Sequence, residues 1–429
     1  MKKKLALLGG KPILGSPLPE PHYIGKEEIA AALKVLKTAK LSGFVAKNNE
    51  EFLGGPWIKR LERGFCDYFG AKFSISVNSA TSGLYAAVYA IGICPGDEVI
   101  VSPYTMSASA TAILACSGVP VFVDVDIDNY CIDADKIEAA ITAKTKAIIV
   151  VHLFGNPAEM DKIMRIAKKY NLRVIEDCAQ APGVLYKKRL VGTFGDAGIF
   201  SLNRHKTIQT GEGGIIVTDN KELALKLQLI RNHAEDIIDQ MGIEARFNFI
   251  GWNYKMTELE AAIGTAQITK LDRLNSIRIK NAQYLTSGLK RFDWIIPYRL
   301  TSENRAVYYR YPFRYIKKEL GIQRSTLIKA MQAEGLPING GYVKPIYLQA
   351  IYKNKKSKND PYLSEMYKVS RHRYRNGLCP VAEKLYNEEL LMSTITHTAR
   401  NFKEVDFFIM AIEKIEENIE DLMIYEKEF

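Results

Sequence analysis

From residue 72 onward one pattern keeps returning: a short, continuously apolar run, a turn, then a stretch with helical character. "KFSISV", "EVIVSP", "VPVFVDVD", "KAIIVVHLFG" and "LRVIEDCAQ" read as strands. "TSGLYAAVYAIGI", "TMSASATAILACSG", "DADKIEAAIT" and "AEMDKIMRIAKKYN" read as the helices between them. The runs do not alternate apolar with polar, so both of their faces need cover. That requirement selects an α/β fold with a mostly parallel sheet and helices on each side. Such a sheet binds ligands beyond the carboxyl ends of its strands. Asp124, Asp126, His152, Asp177 and Gln180 fall there.

A chain of 429 residues is longer than one such domain needs. The helical pattern "MTELEAAIGTAQITKLDRLNSIRIKNAQYLTSGLKRF" reads as one long helix that carries the chain outward. The expected division is an N-terminal segment plus large domain over 1–270, and a smaller C-terminal α/β domain over 271–429. "KNKKSKNDPY", 353–362, reads as a surface loop.

Composition narrows the function classes. Apolar residues make up 47% and charged residues 25%, as in an ordinary globular protein. No apolar run approaches the roughly 20 residues of a membrane-spanning helix. The opening "MKKKLALLGGKPI" stops at Gly9-Gly10 without a cleavage site, so a cytoplasmic location is expected. The net charge of +11 is spread along the chain, and no basic stripe is interleaved with aromatic residues. No nucleic-acid partner is therefore expected. A basic mouth that attracts an anionic small molecule is compatible with the charge. The six cysteines are widely spaced, with no CxxC pair and no zinc spacing, so no metal is expected and most thiols should be buried.

The chemistry concentrates around "FSLNRHKTIQTGEGG", 200–214. Lys206 stands between a strand ending near Ser201 and a turn containing Gly211, Gly213 and Gly214. A lysine there can be a solvated charge, a phosphate binder or a Schiff-base nucleophile. "GEGG" does not match GxGxxG and lacks the K[ST] of a P-loop, which argues against a dinucleotide or nucleoside triphosphate. In "NSATSGL", 78–84, a helix start can offer the N–H groups of Ala80, Thr81 and Ser82 to an anion, or can simply be capped by Ser79 or Thr81. Asp177 at a strand end can face a protonated ring nitrogen, or can serve as a turn or cap residue. Gln180 can reach the same ligand, and the Ser201 hydroxyl the same phosphate. One cofactor uses all of these: pyridoxal 5'-phosphate needs a phosphate cradle, a carboxylate for its ring nitrogen and a lysine for its aldehyde.

The blocks "SATSGL", "GDEVIVSPYT", "PVFVDVD", "VHLFGNPAEMD", "VIEDCAQAPG", "FSLNRHKTIQTGEGG" and "GWNYKMTELEAAIGTAQ" occur in an order and spacing that resembles the DegT/StrS sugar aminotransferases, fold type I pyridoxal-phosphate enzymes. The resemblance covers about residues 20–280 closely and the remainder loosely. It implies that Lys206 joins the cofactor aldehyde, that Asp177 holds the pyridine nitrogen and that Gln180 faces the ring hydroxyl. It implies a phosphate cradle of Ala80, Thr81 and Ser201. It also implies that Asn253, in "GWNYKM", reaches the phosphate of a partner subunit, hence a homodimer with shared sites. Three positions depart from the family pattern. Met106 stands where an aromatic residue usually stacks on the ring, with Tyr104 as the alternative stacker. Lys255 stands where arginine is common. Tyr347 stands where many relatives that use nucleotide sugars have histidine.

The activity the resemblance implies is transfer of an amino group from glutamate or glutamine to a keto-sugar. A nucleotide-linked 4-keto-6-deoxyhexose comes first, and a cyclitol ketone such as scyllo-inosose is the alternative. A related dehydratase is disfavoured, because those relatives carry histidine where this chain has Lys206. A non-catalytic, cofactor-binding regulator is the reading from another class.

Overall fold

The computed structural model describes residues 3–19, 23–242, 249–353, 361–369 and 374–428. The apolar runs form β1 (Phe73–Val77), β2 (Glu98–Val101), β3 (Val119–Phe122), β4 (Thr145–Val151) and β5 (Arg173–Asp177). A small hairpin follows, β6 (Leu185–Tyr186) with β7 (Arg189–Leu190), then β8 (Ala197–Ser201) and β9 (Gly214–Thr218). Seven of these strands make one sheet in the order β1-β9-β8-β5-β4-β2-β3. β2, β3, β4, β5 and β8 pair in parallel, while β9 runs antiparallel to both of its neighbours. The result is the expected α/β fold with a mostly parallel sheet. β9 was not among the strands read from the sequence, although "GGIIVTDN" carries its signal, an apolar run ending in turn residues.

Every residue of β2, β8 and β9 is buried, as expected of strands covered on both faces. Helices Ala80–Ala90 and Ala108–Ala115 pack against each other through small residues. The expected helix over 133–142 is shorter: one turn, Ala134–Ile137, followed by a 3-10 turn, Glu138–Ala140.

The long helical pattern from residue 256 is two helices, Glu258–Ile268 and Leu271–Leu289. The first opens with a reciprocal cap between Thr257 and Glu260. At its end the Lys270 N–H bonds the Gln267 carbonyl, an i−3 contact that tightens the last turn and breaks the continuous ladder. Buried Gln267 donates to the Tyr23 carbonyl and to Glu28, while Lys270 pairs with Glu27 and Glu28. Tertiary partners therefore hold a bend that helical periodicity alone does not reveal.

A second sheet is antiparallel: β10 (Ile295–Pro297), β11 (Tyr311–Tyr315), β12 (Ile338–Gly340) and β13 (Leu390–Ser393), in the order β10-β11-β13-β12. The N-terminal segment bonds to this half of the molecule. The buried Glu334 carboxylate accepts the N–H groups of Ala6 and Ile13 at 2.8 and 2.9 Å and pairs with Lys414 at 2.9 Å. Asp124, just after β3, accepts the N–H groups of Val381 and Ala382 in the short helix Pro380–Lys384, both at 2.9 Å. Most of the expected surface loop, 354–360, lies outside the described residues. Among the described residues no helix is long and apolar enough to cross a membrane.

Candidate active site

The site begins where β1 meets the helix Ala80–Ala90. The first N–H groups of a helix have no carbonyl four residues back. Here the Ser79 hydroxyl takes the Ser82 N–H at 3.0 Å, and the Ser79 carbonyl takes that of Gly83 at 3.1 Å. Ala80 and Thr81 are left to point past the helix end. Gly214 is the register partner of Val77 on one side and of Ser201 on the other. A Cβ at Gly214 would lie 2.6 Å from the Ala80 nitrogen, so only glycine allows this approach. Ser201 is thereby held one strand away from the helix terminus, and together they make a backbone-lined place for an anion.

Beyond Ser201 the chain makes the turn that carries Lys206. Main-chain bonds close it: Leu202 N–H to Gly213, Arg204 N–H to Gly211, Thr210 N–H to Leu202 and Lys206 N–H to Asn203. Gly211 has φ +90°, a conformation that suits glycine. Lys206 is half-buried, and its Nζ lies 4.6 Å from the centroid of the Tyr309 ring.

Asp177 closes β5 and is buried. Its Oδ2 accepts the Ser109 hydroxyl at 2.7 Å and its Oδ1 the Ala179 N–H at 3.1 Å. Gln180 is fixed at both ends: Oε1 accepts the Phe154 N–H at 2.8 Å, and Nε2 donates to the Tyr342 hydroxyl at 3.0 Å. Burial, reinforced by the neighbouring Tyr309, pushes the Tyr342 phenol up to about 12. Tyr342 thus ties Gln180 to Tyr104 and Phe154.

The two stacking candidates separate. Tyr104 is fully buried, its hydroxyl accepts the Tyr342 N–H at 3.1 Å, and its ring meets that of Tyr342 edge-on at 88°. With both ring and hydroxyl engaged in packing, Tyr104 does not offer a face to a ligand. Met106 is 58% exposed. Asn253 is exposed, in an antiparallel bridge to Asn232, and the next carbonyl, that of Tyr254, accepts the Asn78 N–H at 2.8 Å. This bond keeps "GWNYKM" beside the start of the anion-binding helix. Burial and the nearby Arg231 lower the pKa of Lys255.

Other residues at the strand ends are structural. Asp126 accepts the N–H groups of Asp128 and Asn129 in its own turn. His152, Glu176 and Cys178 cluster, but the His152 Nδ1 accepts the Ala158 N–H and its Nε2 faces Glu176. Glu176 also accepts three N–H groups, from Gly192, Phe194 and Gly195, each at 2.7 Å. Tyr347 is buried, donates to Glu383 and accepts the Cys379 N–H at 3.1 Å. Its hydroxyl is thereby committed to bonds within the chain. Cys131, Cys178 and Cys379 are buried, Cys66 and Cys116 are half-buried, and Cys94 is exposed, so burial covers fewer thiols than expected.

Sequence reasoning missed Ser109, Tyr309 and Tyr342 as site residues. Ser109 lies in "SASATAIL", where a string of small residues reads as helix packing. Tyr342 lies inside "NGGYVKPIYLQAIY", a segment whose tyrosine at 347 drew attention instead.

A backbone anion site, one buried carboxylate and one primary amine on a closed turn fit the phosphate, ring nitrogen and aldehyde of pyridoxal phosphate. Residues 37–390 match the model of the DegT/DnrJ/EryC1/StrS aminotransferase family. The chain is similar to a GDP-perosamine synthase of Caulobacter vibrioides, 38% identical over 66% of this chain and 75% of that protein. It is also similar to a putative L-glutamine:3-amino-2,3-dideoxy-scyllo-inosose aminotransferase of Streptoalloteichus tenebrarius, 31% identical over 98% of this chain and all of that one. An aminotransferase from Psychrobacter cryohalolentis, solved by X-ray crystallography, superposes with a TM-score of 0.82 at 28% identity, over 94% of this chain and 99% of its own. The chain belongs to the DegT/DnrJ/EryC1/StrS aminotransferase family and is a pyridoxal-phosphate-dependent aminotransferase.

Proposed function

We propose that the enzyme transfers the amino group of glutamate or glutamine to a ketone on a sugar-like ring, with a nucleotide-linked 4-keto-6-deoxyhexose as acceptor. The observation that carries this reading is the meeting of three things at the carboxyl edge of one sheet: Lys206 on its turn, the buried Asp177, and the unpaired N–H groups of Ala80 and Thr81. When bound, pyridoxal phosphate supplies an aldehyde for the amino group and a ring that takes up electrons. Ala80, Thr81 and Ser201 hold its phosphate. Asp177 keeps its ring nitrogen protonated, and the Ser109 hydroxyl fixes the carboxylate for that task. Gln180 would meet the ring hydroxyl through its amide, and Met106 would flank the ring. Lys206 would supply the amine for the cofactor aldehyde, and its Nζ would take a proton from the donor carbon and return it on the product side.

The active unit of this reading is a homodimer in which Asn253 completes the partner's site. Its support is the exposure of Asn253 beside the helix start, together with the exposed Ile250 and Trp252 next to it in the chain. A cytoplasmic location accords with six free thiols. The nucleotide-linked acceptor draws on the similarity to a GDP-perosamine synthase. The scyllo-inosose alternative draws on the full-length similarity to cyclitol aminotransferases. Lys206 stands against a dehydratase and, with Asp177 and Gln180, against a regulator without turnover.

The test loads the enzyme with amino groups from glutamate or glutamine and removes the donor. GDP-, dTDP- and UDP-linked 4-keto-6-deoxyhexoses and scyllo-inosose are then added in turn, and the aminated product is detected by mass spectrometry. Amination of a nucleotide-linked ketone is the expected result. Amination of scyllo-inosose alone overturns it, and failure to accept an amino group from either donor removes the aminotransferase reading of the site.

A further inference from the structure

Lys206 also lines a cavity of about 750 Å³, walled by the segment around Tyr23, the helix Leu271–Leu289 and the second sheet with its connections. Its charged lining is one-sided. Arg204, Lys206, Arg278 and Arg310 contribute, with His205 and His397, and no carboxylate lines it among the described residues. Arg278 is only 2% exposed. One of its N–H groups donates to the Tyr23 hydroxyl at 3.2 Å, while Nε and Nη1 are buried without an acceptor among the described residues. His397 has a buried Nδ1, also without a partner among the described residues. Desolvation, with Arg278 and Arg310 alongside, holds its imidazole well below the usual range, so it stays neutral.

This arrangement is expensive for a protein to keep empty-handed. A guanidinium withdrawn from water needs an acceptor, because its desolvation is otherwise uncompensated. Elsewhere in this chain withdrawn charges face a carboxylate: Lys414 pairs with Glu334, and Arg231, which also keeps two nitrogens without an acceptor among the described residues, pairs with Glu62. Around Arg278 the walls supply more positive charge instead. Guanidinium groups match carboxylate and phosphate oxygens in shape and in number of donors.

We propose that this cavity seats an oxyanion carried by a substrate, a phosphate of the acceptor or a carboxylate of the amino donor, with Arg278 and Arg310 as the residues that select it. The inference rests on the aminotransferase reading above and deepens it. Lys206 lines the same cavity, so an anion held there is anchored beside the reactive amine. Arg278 supplies fixed charge from the wall, and Arg310, half-buried and next to Tyr309, supplies charge from the second sheet.

The test measures anion binding directly, by titration calorimetry of the cofactor-loaded enzyme with inorganic diphosphate and, separately, with glutarate. The same titrations are run on Arg278→Gln and Arg310→Gln, each checked for an unchanged melting temperature. The parent is expected to bind at least one probe, and a variant to bind it at least about tenfold more weakly. Loss of diphosphate assigns the cavity to phosphates of the acceptor, and loss of glutarate to a carboxylate of the donor. The KM of that substrate should rise while kcat changes little. Should Arg278→Gln fail to fold, Arg310→Gln decides alone. A parent that binds neither probe, or folded variants that bind both within twofold of the parent, overturns the proposal. Anion binding needs no turnover, so failure to aminate any ketone would count against the proposed reaction without touching this result.

Discussion

The two sides of Lys206 are built on opposite principles. On the sheet side the buried carboxylate and amide are held by the chain itself, and only the N–H groups at the helix start are left open. Asp177 has the Ser109 hydroxyl and the Ala179 N–H, Gln180 is tied at both ends, and Gly214 brings Ser201 up to the helix start by backbone alone. In the cavity Arg278 and His397 keep buried nitrogens unanswered among the described residues, with cations alongside. A site finished by its own hydrogen bonds is preorganised for a group that stays. A site with charge left over is arranged for a group that comes and goes. The first accords with a resident cofactor and the second with exchanging substrates.

The strongest way to break this comparison is to remove the residue between the two sides. Lys206→Ala should lower turnover by about 10⁴-fold or more, since both the proton carrier and the anchor are lost. Cofactor content after dialysis should stay substantial, because Asp177 and the helix start are untouched. Mixing this variant with Asn253→Ala subunits sharpens the test. A mixed dimer has one site with both defects and one with neither, so activity should return on mixing. Near-normal turnover by Lys206→Ala alone would remove it as the catalytic lysine. Failure of the mixture to regain activity would place Asn253 outside the partner's site.

Asp177→Asn tests the sheet side alone, with an expected loss of about 10²-fold in the half-reaction with glutamate. The amide oxygen can still accept from Ser109 or Ala179, so folding should change little. What it cannot do is stabilise a positive ring nitrogen, where each pK unit is worth about 1.4 kcal/mol. An unchanged half-reaction rate would show that the carboxylate does not face the ring.

The same division explains what the sequence made legible. The parallel strands announce themselves because burial on both faces forces continuous apolar runs. Lys206, Gly214 and the helix start at Ser79 lie in short blocks where a local turn sets the geometry. Ser109 reaches Asp177 across 68 residues and Glu334 collects the N-terminal segment across 328, so neither meeting leaves a local pattern. Arg278 lies in the long helical pattern with no local mark of its role, because its Tyr23 partner is 255 residues away in the chain. The break at Lys270 is hidden for a related reason, since it depends on Glu27 and Glu28 in another helix.

Gly214→Ala presses on the backbone that assembles the cradle. Its Cβ would meet the nitrogen of Ala80 and the carbonyl of Ser79, main-chain atoms that cannot rotate aside. The expected cost is about 1–3 kcal/mol of stability. Cofactor affinity should weaken by about tenfold, as the helix start is pushed from β9. Normal stability with normal cofactor retention would mean that the close approach is not needed.

The smallest expected effect on catalysis is at Tyr347, and it tests where the substrate side ends. Tyr347 belongs to the C-terminal half of the chain, as do Arg310 and His397, yet it behaves like the sheet side. Its hydroxyl donates to Glu383 and accepts the Cys379 N–H, and its ring packs against Phe122. Tyr347→Phe keeps the ring and removes both hydrogen bonds. Glu383 still accepts the Gly377 N–H at 2.8 Å, so the buried Cys379 N–H is the group left unsatisfied. That should cost about 1–3 kcal/mol of stability, read as a lower melting temperature. The ratio kcat/KM for the ketone should move by less than about threefold, because a change of that size is well under 1.4 kcal/mol of transition-state stabilisation. A tenfold loss at unchanged stability would instead put the Tyr347 hydroxyl on the acceptor, and the boundary between finished and unfinished charge would have to be redrawn around it.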